Sequence, residues 1–322
     1  MSSIKNIAIV GAGGQIGKII TSAILAQGKH NLTAITRPDS TSTMPSGLHA
    51  VKKADYTSHE SLVAAMQGQD ALIITMNVLA PRDSQTKLID AAADAGVKWI
   101  MPNEYGADLR DSQMGKDNFL GAPQQAVRDY IENKEGVNWV SVACSFWYEF
   151  SLGGTEIRYG FDFKEKTLTL FDKGDVKITT STWPQVGRAV AKIFALPDEA
   201  EGDALSLSKT KNRAVHISSF CVSQLDMLAS VLRVTGDKES DWTITQEDSH
   251  DRYKRAVKMF QEGNFMGFGM LLYARAFYPE DPADGSKKLQ NEALGLPEED
   301  FDDFTRIGVD MGMRASSWSA HV

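Results

Sequence analysis

Three glycines near the start of the chain have the spacing of a diphosphate-binding loop. Gly11, Gly14 and Gly17 join an apolar stretch, residues 4–10, to a segment with helical periodicity. A diphosphate needs close approach to the backbone and the free amides of a helix N-terminus, and side chains would obstruct both. The spacing is GxxGxxG, with Gly13 as an extra glycine, rather than the commoner GxGxxG. The pattern predicts a dinucleotide site, against the alternative of a purely structural turn.

The residues after the second apolar stretch predict which dinucleotide binds. A carboxylate there would hydrogen-bond the adenosine ribose of NAD, but the chain has Thr36 and Arg37. Arginine presents a planar, permanently charged donor fork that suits a 2′-phosphate, which favours NADPH over NADH. The alternative is a solvated Arg37 with Asp39 serving the ribose. Asp55, after the third strand, is a candidate acceptor for the adenine amine, or a cap of the following turn.

The elements that position these residues alternate between strand and helix patterns. Through residue 143 short apolar runs alternate with helical periodicity, which is typical of βαβ units around a parallel sheet. We predict an α/β fold, a Rossmann-type doubly wound parallel sheet of about six strands with a smaller C-terminal substrate-binding lobe. Residues 1–150 would form the NADP-binding domain and 151–322 a mixed α/β lobe, with the chain free to interleave. A hairpin around 167–175 and a helix at 185–196 are predicted in the second part.

Composition excludes several classes of function. The net charge of −8 and the pI near 5.3 argue against nucleic-acid binding. The N-terminus leaves no room for a signal peptide, and no run is long and apolar enough for a membrane span, so we expect a soluble, cytoplasmic protein. Cys144 and Cys221 lie in apolar stretches, which argues against a disulfide. His216 and His250 have no Cys or carboxylate at ligand spacing, so we expect no metal site.

The order of several segments resembles the NmrA-like and isoflavone-reductase-like branch of the atypical short-chain dehydrogenases, particularly its fungal members. WIMPNEYG at 99–106 looks like that family's RFxPSEFG segment, and WVSVACSFWY at 139–148 and RAVHISSF at 213–220, taken as part of the second lobe, are also similar. The resemblance covers nearly the whole chain and implies an NADPH site and a substrate pocket between the lobes. It implies cofactor contacts from Gln15, Ile16, Met76, Asn77, Pro102 and Asn103. It places Tyr105 near the nicotinamide, and Trp147 and Tyr148 near the pocket floor.

The resemblance breaks at the proton donor. Short-chain dehydrogenases use YxxxK, but Leu109 stands four residues after Tyr105. Isoflavone-reductase-like enzymes use a lysine that aligns with Gln124, and a neutral amide cannot deliver a proton as an ammonium does. Tyr105 and Lys116 are the candidate catalytic substitutes, with stacking and solvation as the respective alternatives.

These observations predict an NADPH-dependent reductase of a small aromatic or polyketide-like metabolite, acting on a carbonyl or activated alkene in secondary metabolism. An aromatic lining from Trp147, Tyr148, Phe265 and Phe268 would suit a flat ligand. Two alternatives stay open, a non-catalytic NADP-binding sensor of the NmrA type with a protein partner, and a redox-neutral isomerase. A homodimer is compatible with each function.

Overall fold

The computed structural model describes residues 2–77, 80, 81, 83–110 and 112–314. The strands are β1 (Asn6–Val10), β2 (Asn31–Thr36), β3 (Ala50–Lys53), β4 (Ala71–Ile74), β5 (Trp99–Met101), β6 (Asn138–Ala143), β7 (Phe146–Trp147), β8 (Phe161–Asp162), β9 (Thr167–Phe171), β10 (Ile178–Ser181), β11 (Arg213–His216), β12 (Phe220–Val222) and β13 (Thr243–Glu247). The helices are α1 (Gln15–Gln27), α2 (His59–Met66), α3 (Ser84–Asp94), α4 (Gln113–Asp117), α5 (Gly121–Glu132), α6 (Tyr148–Leu152), α7 (Trp183–Phe194), α8 (Leu207–Thr210), α9 (Gln224–Thr235), α10 (Ser249–Gln261), α11 (Met266–Ala276) and α12 (Phe301–Arg314), with single 3₁₀ turns at Glu239–Asp241 and Ser286–Lys288.

Seven strands form the main sheet in the order β11-β6-β5-β4-β1-β2-β3. Every neighbouring pair is parallel. The strand order reverses at β1, and this reversal opens a ligand crevice at the carboxyl ends of the strands. The predicted doubly wound α/β fold is confirmed. The sheet has one strand more than the sequence predicted, because residues 213–216, which were assigned to the second lobe, return to its edge as β11.

Both faces of the main sheet are covered, which explains why its strands are apolar at consecutive positions. In β1, Ile7 and Ile9 pack with α1 and α7, whereas Ala8 and Val10 pack with α2 and α3. Side chains alternate between faces along a strand, so a strand buried on both sides needs an unbroken apolar run. On the face covered by α1 and α7 the two helices pack closely, since a Cβ on Gly187 of α7 would lie 2.9 Å from Cγ2 of Ile19 in α1.

Local capping sets the start of α7 two residues before its predicted position, and α5 begins before Gln124. Helix α7 begins at Trp183 rather than 185, because the Thr182 side chain accepts a hydrogen bond from the Gln185 amide and Pro184 occupies the first turn. Helix α5 begins at Gly121, so Gln124 lies inside its first turn rather than at its start.

A second group of elements packs beside the carboxyl ends of the main sheet. It holds two small sheets, in the orders β12-β10-β7 and β13-β9-β8. Strand β9 pairs antiparallel with β8 before it and parallel with β13, so the hairpin predicted at 167–175 forms with residues 161–162 instead. None of the helices within the described ranges is long and apolar enough to cross a membrane.

Candidate functional site

Two glycines of the first loop are required by close backbone contacts, one with the residue after β4 and one within the loop. Gly11 has a φ of 83°, and a Cβ there would lie 1.9 Å from the carbonyl oxygen of Thr75, at the end of β4. A Cβ on Gly17 would lie 2.0 Å from the carbonyl oxygen of Gly11. Any larger residue at either position would therefore push the turn off the end of the sheet.

The start of α1 is suited to an anion. Its N-cap is Gly14, which provides no side-chain acceptor, and no acidic residue stands in the first turn. The exposed amide end of a helix attracts negative charge. Gln15 is exposed, whereas the Ile16 side chain is buried in the core, so Ile16 offers a ligand its backbone amide only.

The extra glycine makes room for a neighbouring loop. A Cβ on Gly13 would lie 3.0 Å from Cβ of Ser42 and 3.2 Å from the carbonyl oxygen of Thr43. Gly13 has no left-handed backbone, so only this contact restricts the residue type. The segment 40–44, which we call the strap, thus lies against the dinucleotide loop. Since the strap follows β2, it connects this loop to Arg37.

Arg37 lies at the carboxyl end of β2 with its guanidinium accessible. Its side chain is 65% exposed, and Nε is 3.7 Å from Oδ1 of Asp39, which is itself 80% exposed. An ion pair as exposed as this one contributes little to the stability of the fold. The guanidinium can therefore turn to a ligand at small cost. Thr36, the last residue of β2, is half-buried beside it.

The Asp55 side chain caps the turn that follows it. Its Oδ1 accepts hydrogen bonds from the Thr57 amide at 2.8 Å and from the Thr57 hydroxyl at 2.7 Å. These two bonds hold the pKa of Asp55 below its ordinary value. This geometry supports turn capping, the alternative left open by the sequence, over recognition of adenine.

The ends of β4 and β5 are joined through one amide side chain. Oδ1 of Asn103 accepts from the Met76 amide and its Nδ2 donates to the Met76 carbonyl, both at 3.1 Å. The Asn103 amide in turn donates to Oε1 of Gln85 at 2.7 Å. Asn77 is exposed beyond this pair, and Pro102 is buried. The Asn103 side chain therefore holds the ends of β4 and β5 together at the floor of the crevice, and both of its polar atoms are hydrogen-bonded to Met76.

Gln124 holds a loop and has no free polar atom for catalysis. Its Oε1 accepts from the Leu109 amide at 2.9 Å, and its Nε2 donates to the Ala107 carbonyl at 3.1 Å. At the position that aligns with the family's catalytic lysine, the structure therefore has an amide that binds the loop after β5 with both of its ends.

The geometry also disfavours Tyr105 as a proton donor. Its hydroxyl is buried, has no hydrogen-bond partner among the described residues, and its ring packs against the main core. Burial, with Cys144 and Glu104 nearby, raises the pKa of Tyr105 well above its ordinary value. The phenol thus retains its proton, but away from the open crevice.

Lys116 is exposed on α4, and its neighbour anchors that helix to the second group of elements. Asp117 accepts from Nε of Arg275 at 2.6 Å, and its carbonyl accepts from the Tyr253 hydroxyl at 2.7 Å. A segment held in this way does not fold freely over the crevice. The position of Lys116 favours solvation, the alternative left open by the sequence.

A family model corresponds to this arrangement. The model described as the NmrA-like family matches residues 3–217, more than half of the chain, from β1 to the end of β11. The chain belongs to the NmrA-like family. The resemblance inferred from the sequence segments is thereby confirmed.

Relatives of this NmrA-like chain include named oxidoreductases. "Oxidoreductase aprR" of Aspergillus flavus is 28% identical over 303 residues, which cover 92% of this chain and 95% of that protein. The crystal structure of an isoflavone reductase superposes with a TM-score of 0.71 at 22% identity and covers 94% of this chain and 99% of its own. The Citrobacter triphenylmethane reductase, solved in complex with NADP(H), gives a TM-score of 0.68 at 18% identity and covers 94% and 99%. These two structural likenesses establish the shared fold.

The residues of this NmrA-like chain fit a dinucleotide phosphate. The loop tolerates no Cβ at Gly11 or Gly17, and the amide end of α1 is open beside Gly14. Arg37 offers an accessible donor fork at the end of β2. Diphosphate and 2′-phosphate groups require these two features.

A buried ion cluster, missed by the sequence analysis, lies behind the crevice. Arg128 of α5 is 1% exposed and stacks over the Trp139 ring at 4.5 Å. Its Nε donates to Oε2 of Glu104 at 2.9 Å and its Nη1 to Oδ1 of Asp108 at 2.6 Å. Burial raises the pKa of Glu104 to about 7, although Arg128 opposes the rise. Burial would also raise the pKa of Asp108, but Arg128 and Arg110 hold it below its ordinary value.

A pocket of about 190 Å³ opens between the two groups of elements, at the ends of β6 and β11. His216, the last residue of β11, lines it together with Asp108, and His216 Nε2 lies 3.7 Å from Asp108 Oδ2. The sequence analysis dismissed His216 because no carboxylate stands near it in the chain. The sequence carried no signal for this, because nothing in residues 213–216 assigns them to the main sheet, where ligands bind at the carboxyl ends of the strands. No group of three or more metal-ligating side chains occurs within the described ranges.

The aromatic residues predicted to line the substrate pocket do not lie together. Tyr148 is fully buried and its hydroxyl is 2.7 Å from Oγ1 of Thr305, so its assignment to the pocket floor is corrected. Trp147 is half-buried and packs edge-on against Trp183, at 6.2 Å between ring centroids. Phe265 is 73% exposed on the outer surface. The pocket beside His216 is accordingly more polar than the sequence predicted.

Proposed function

We propose that this protein is an NADPH-dependent reductase of a small molecule that carries a carbonyl or an activated alkene. The observation that carries the proposal is the pairing of an open α1 amide end with the accessible Arg37 fork. Relatives named as oxidoreductases support it, among them aprR and the pinoresinol reductase of Arabidopsis thaliana. The aromatic or polyketide-like substrate class, the place in secondary metabolism, the cytoplasmic location and the homodimer stay predictions.

In this proposal the first loop and α1 bind the diphosphate, and Arg37 binds the 2′-phosphate. Asn103 keeps the ends of β4 and β5 together under the nicotinamide end of the crevice. NADPH, when bound, supplies the hydride. The proton that balances the reduction comes from water, because the Tyr105 hydroxyl is buried and the Gln124 amide holds the loop.

The test combines binding with turnover. NADPH is titrated into the protein, and its consumption is followed by absorbance with aryl ketones, enones and quinones. The proposal predicts saturable binding and consumption with at least one class. Tight binding without consumption by any class would reject the reductase.

A sensor of the NADP redox state is a second candidate, and the bonding of Gln124 favours it. The position of the family's catalytic lysine is occupied by Gln124, whose amide holds a loop. The residues that would bind the cofactor are therefore better defined than any residue that would deliver a proton. A sensor predicts unequal affinity for NADPH and NADP⁺ and recovery of a protein partner that depends on which form is present. Equal affinities would reject the sensor.

A further inference from the structure

The pocket beside β11 brings together three polar groups from three separate elements. His216 ends β11, Ser145 follows β6, and Lys288 belongs to the loop that closes the pocket from the second group of elements. We propose that this pocket binds the carboxylate, or a similarly ionised acidic group, of a small-molecule ligand.

Each of these three groups is free to donate a hydrogen bond. The nearby Oδ2 of Asp108 is 3.7 Å from Nε2 of His216, beyond hydrogen-bond distance. Within the described part of the chain, the Ser145 hydroxyl and the Lys288 ammonium make no hydrogen bond or ion pair. His216 and Ser145 are half-buried, whereas Lys288 is exposed at the pocket rim. Partly buried donors without a protein partner gain most from a ligand that accepts a hydrogen bond.

Burial and three cations act together on the His216 imidazole. Burial lowers the pKa of His216, Asp108 opposes this, and the charges of Lys288, Arg110 and Arg128 lower it further. An imidazole surrounded in this way stays neutral and can donate one N–H. The positive field that disfavours a charged His216 favours an anion at the same place.

Two of the three carboxylates on the pocket wall are already neutralised. Asp108 pairs with Arg128, and Asp281 pairs with Arg275. Asp284 is the exception; its Oδ1 accepts from the Ser286 amide at 2.8 Å and from the Cys221 thiol at 3.7 Å. Lys287 is near enough that its charge helps to hold the pKa of Asp284 below its ordinary value. An anion therefore meets one carboxylate that has no ion pair among the described residues, and three free donors.

Ser145 has a left-handed backbone conformation that residues other than glycine rarely adopt. Its φ is 56°, and its amide donates to the Gly106 carbonyl at 3.1 Å. Strain of this kind concentrates at functional sites and is maintained by the surrounding contacts. Glycine would fit this backbone conformation better, but only serine provides a hydroxyl at the pocket wall.

The remaining wall sets the size and character of the ligand. Apolar surface comes from Met114, Ala143, Ile217 and Leu289, and the volume is about 190 Å³. The ligand is thus compact, with an apolar body and one acidic group. If it is the substrate, the inference rests on the proposed reductase function, although its binding is measurable without NADPH.

The test uses benzoate as the probe, with benzamide and benzylamine as neutral and cationic counterparts of similar size. Binding to the full chain is measured by NMR titration, without cofactor. We expect benzoate to bind more tightly than both counterparts. His216→Phe should weaken benzoate about tenfold, because a bond to a charged group is lost. Lys288→Gln should weaken it about threefold, and Lys98→Gln, an exposed lysine before β5 at the opposite end of the main sheet, should have no effect.

A second readout separates ligand contact from loss of fold. The NMR-measured pKa of His216 should rise when benzoate saturates the wild-type protein, because an anion favours the protonated imidazole. His250, on the surface, should show no change. Absence of benzoate binding, tighter benzylamine binding, or an unchanged His216 pKa would overturn the inference. None of these results depends on NADPH turnover, so failure here and failure of the reductase proposal are distinguishable.

Discussion

The Gln124 side chain accepts a hydrogen bond from the Leu109 amide at 2.9 Å and donates one to the Ala107 carbonyl at 3.1 Å. A single side chain of α5 therefore pairs with one backbone N–H and one backbone carbonyl of the loop that follows β5. The same loop supplies Glu104 and Asp108 to the cluster around Arg128. Gln124 is a positioning residue, and its identity is explained by the backbone it binds.

Replacing Gln124 by Ala should destabilise the protein by about 2 kcal/mol, because two half-buried backbone groups lose their partners. Urea unfolding measures this loss. Gln125→Ala, on the same helix, is the matched control, since the Gln125 side chain donates to the exposed Asp129 rather than to the loop. Gln124→Lys should be as destabilising as Gln124→Ala. A lysine variant as stable as the wild type would show that the loop does not need the amide.

Gly13→Ala should weaken NADPH binding, because its methyl group would press on Ser42 and displace the strap beside Arg37. The added Cβ would lie 3.0 Å from Ser42 Cβ, which is closer than packed carbons normally approach. We expect a loss of several-fold in affinity, measured by fluorescence titration.

The double variant Gly13→Ala with Ser42→Gly is the control for this contact. Removing the Ser42 side chain relieves the closest approach, so the second change should recover most of the lost affinity. Equal affinity in the wild type and the single variant would contradict a role for the strap.

Glu149 should make the protein less stable as the pH rises. Its side chain is buried and burial raises its pKa to about 7, from an ordinary value of 4.5. Between these two values the folded state binds a proton that the unfolded state has lost, so stability falls with increasing pH and levels off above 7. The nearby Glu299 strengthens the effect.

Glu149→Gln removes this titration and keeps an acceptor for the Trp183 amide. Above pH 7 the variant should be more stable than the wild type by up to about 3 kcal/mol, and near pH 4.5 the difference should largely vanish. Thermal unfolding across this range measures it, with the exposed Glu165→Gln as control. A difference that does not vary with pH would contradict the raised pKa.

The alternation of strands and helices was predictable because each buried strand must be apolar at successive positions. Residues 71–74, for instance, can lie only inside a covered sheet. The return of residues 213–216 to the sheet edge was not predictable, since a short strand carries no mark of the sheet it joins. Its placement comes from parallel pairing with β6, a contact between residues about 70 positions apart in the chain.

The cofactor loop was predictable because its glycines recur at a recognisable spacing within one short segment, although Thr75 and Ser42, which restrict Gly11 and Gly13, come from elsewhere in the chain. The partners of Gln124, Tyr105 and Tyr148 were not, because hydrogen bonds to loops and burial are properties of the fold. His216 was dismissed for lack of a nearby carboxylate in sequence, and the fold provides Asp108 from a different strand end. Spacing along the chain predicts only those sites that one segment builds by itself.

The most direct test of the account is the affinity of Arg37→Gln for NADPH and for NADH. The loss of a charged bond to the 2′-phosphate should weaken NADPH about tenfold or more and leave NADH almost unchanged. Arg213→Gln, an exposed arginine on β11, is the matched control and should alter neither affinity. If Arg37→Gln weakens both cofactors equally, or neither, Arg37 does not recognise the 2′-phosphate and the assignment of NADPH is contradicted.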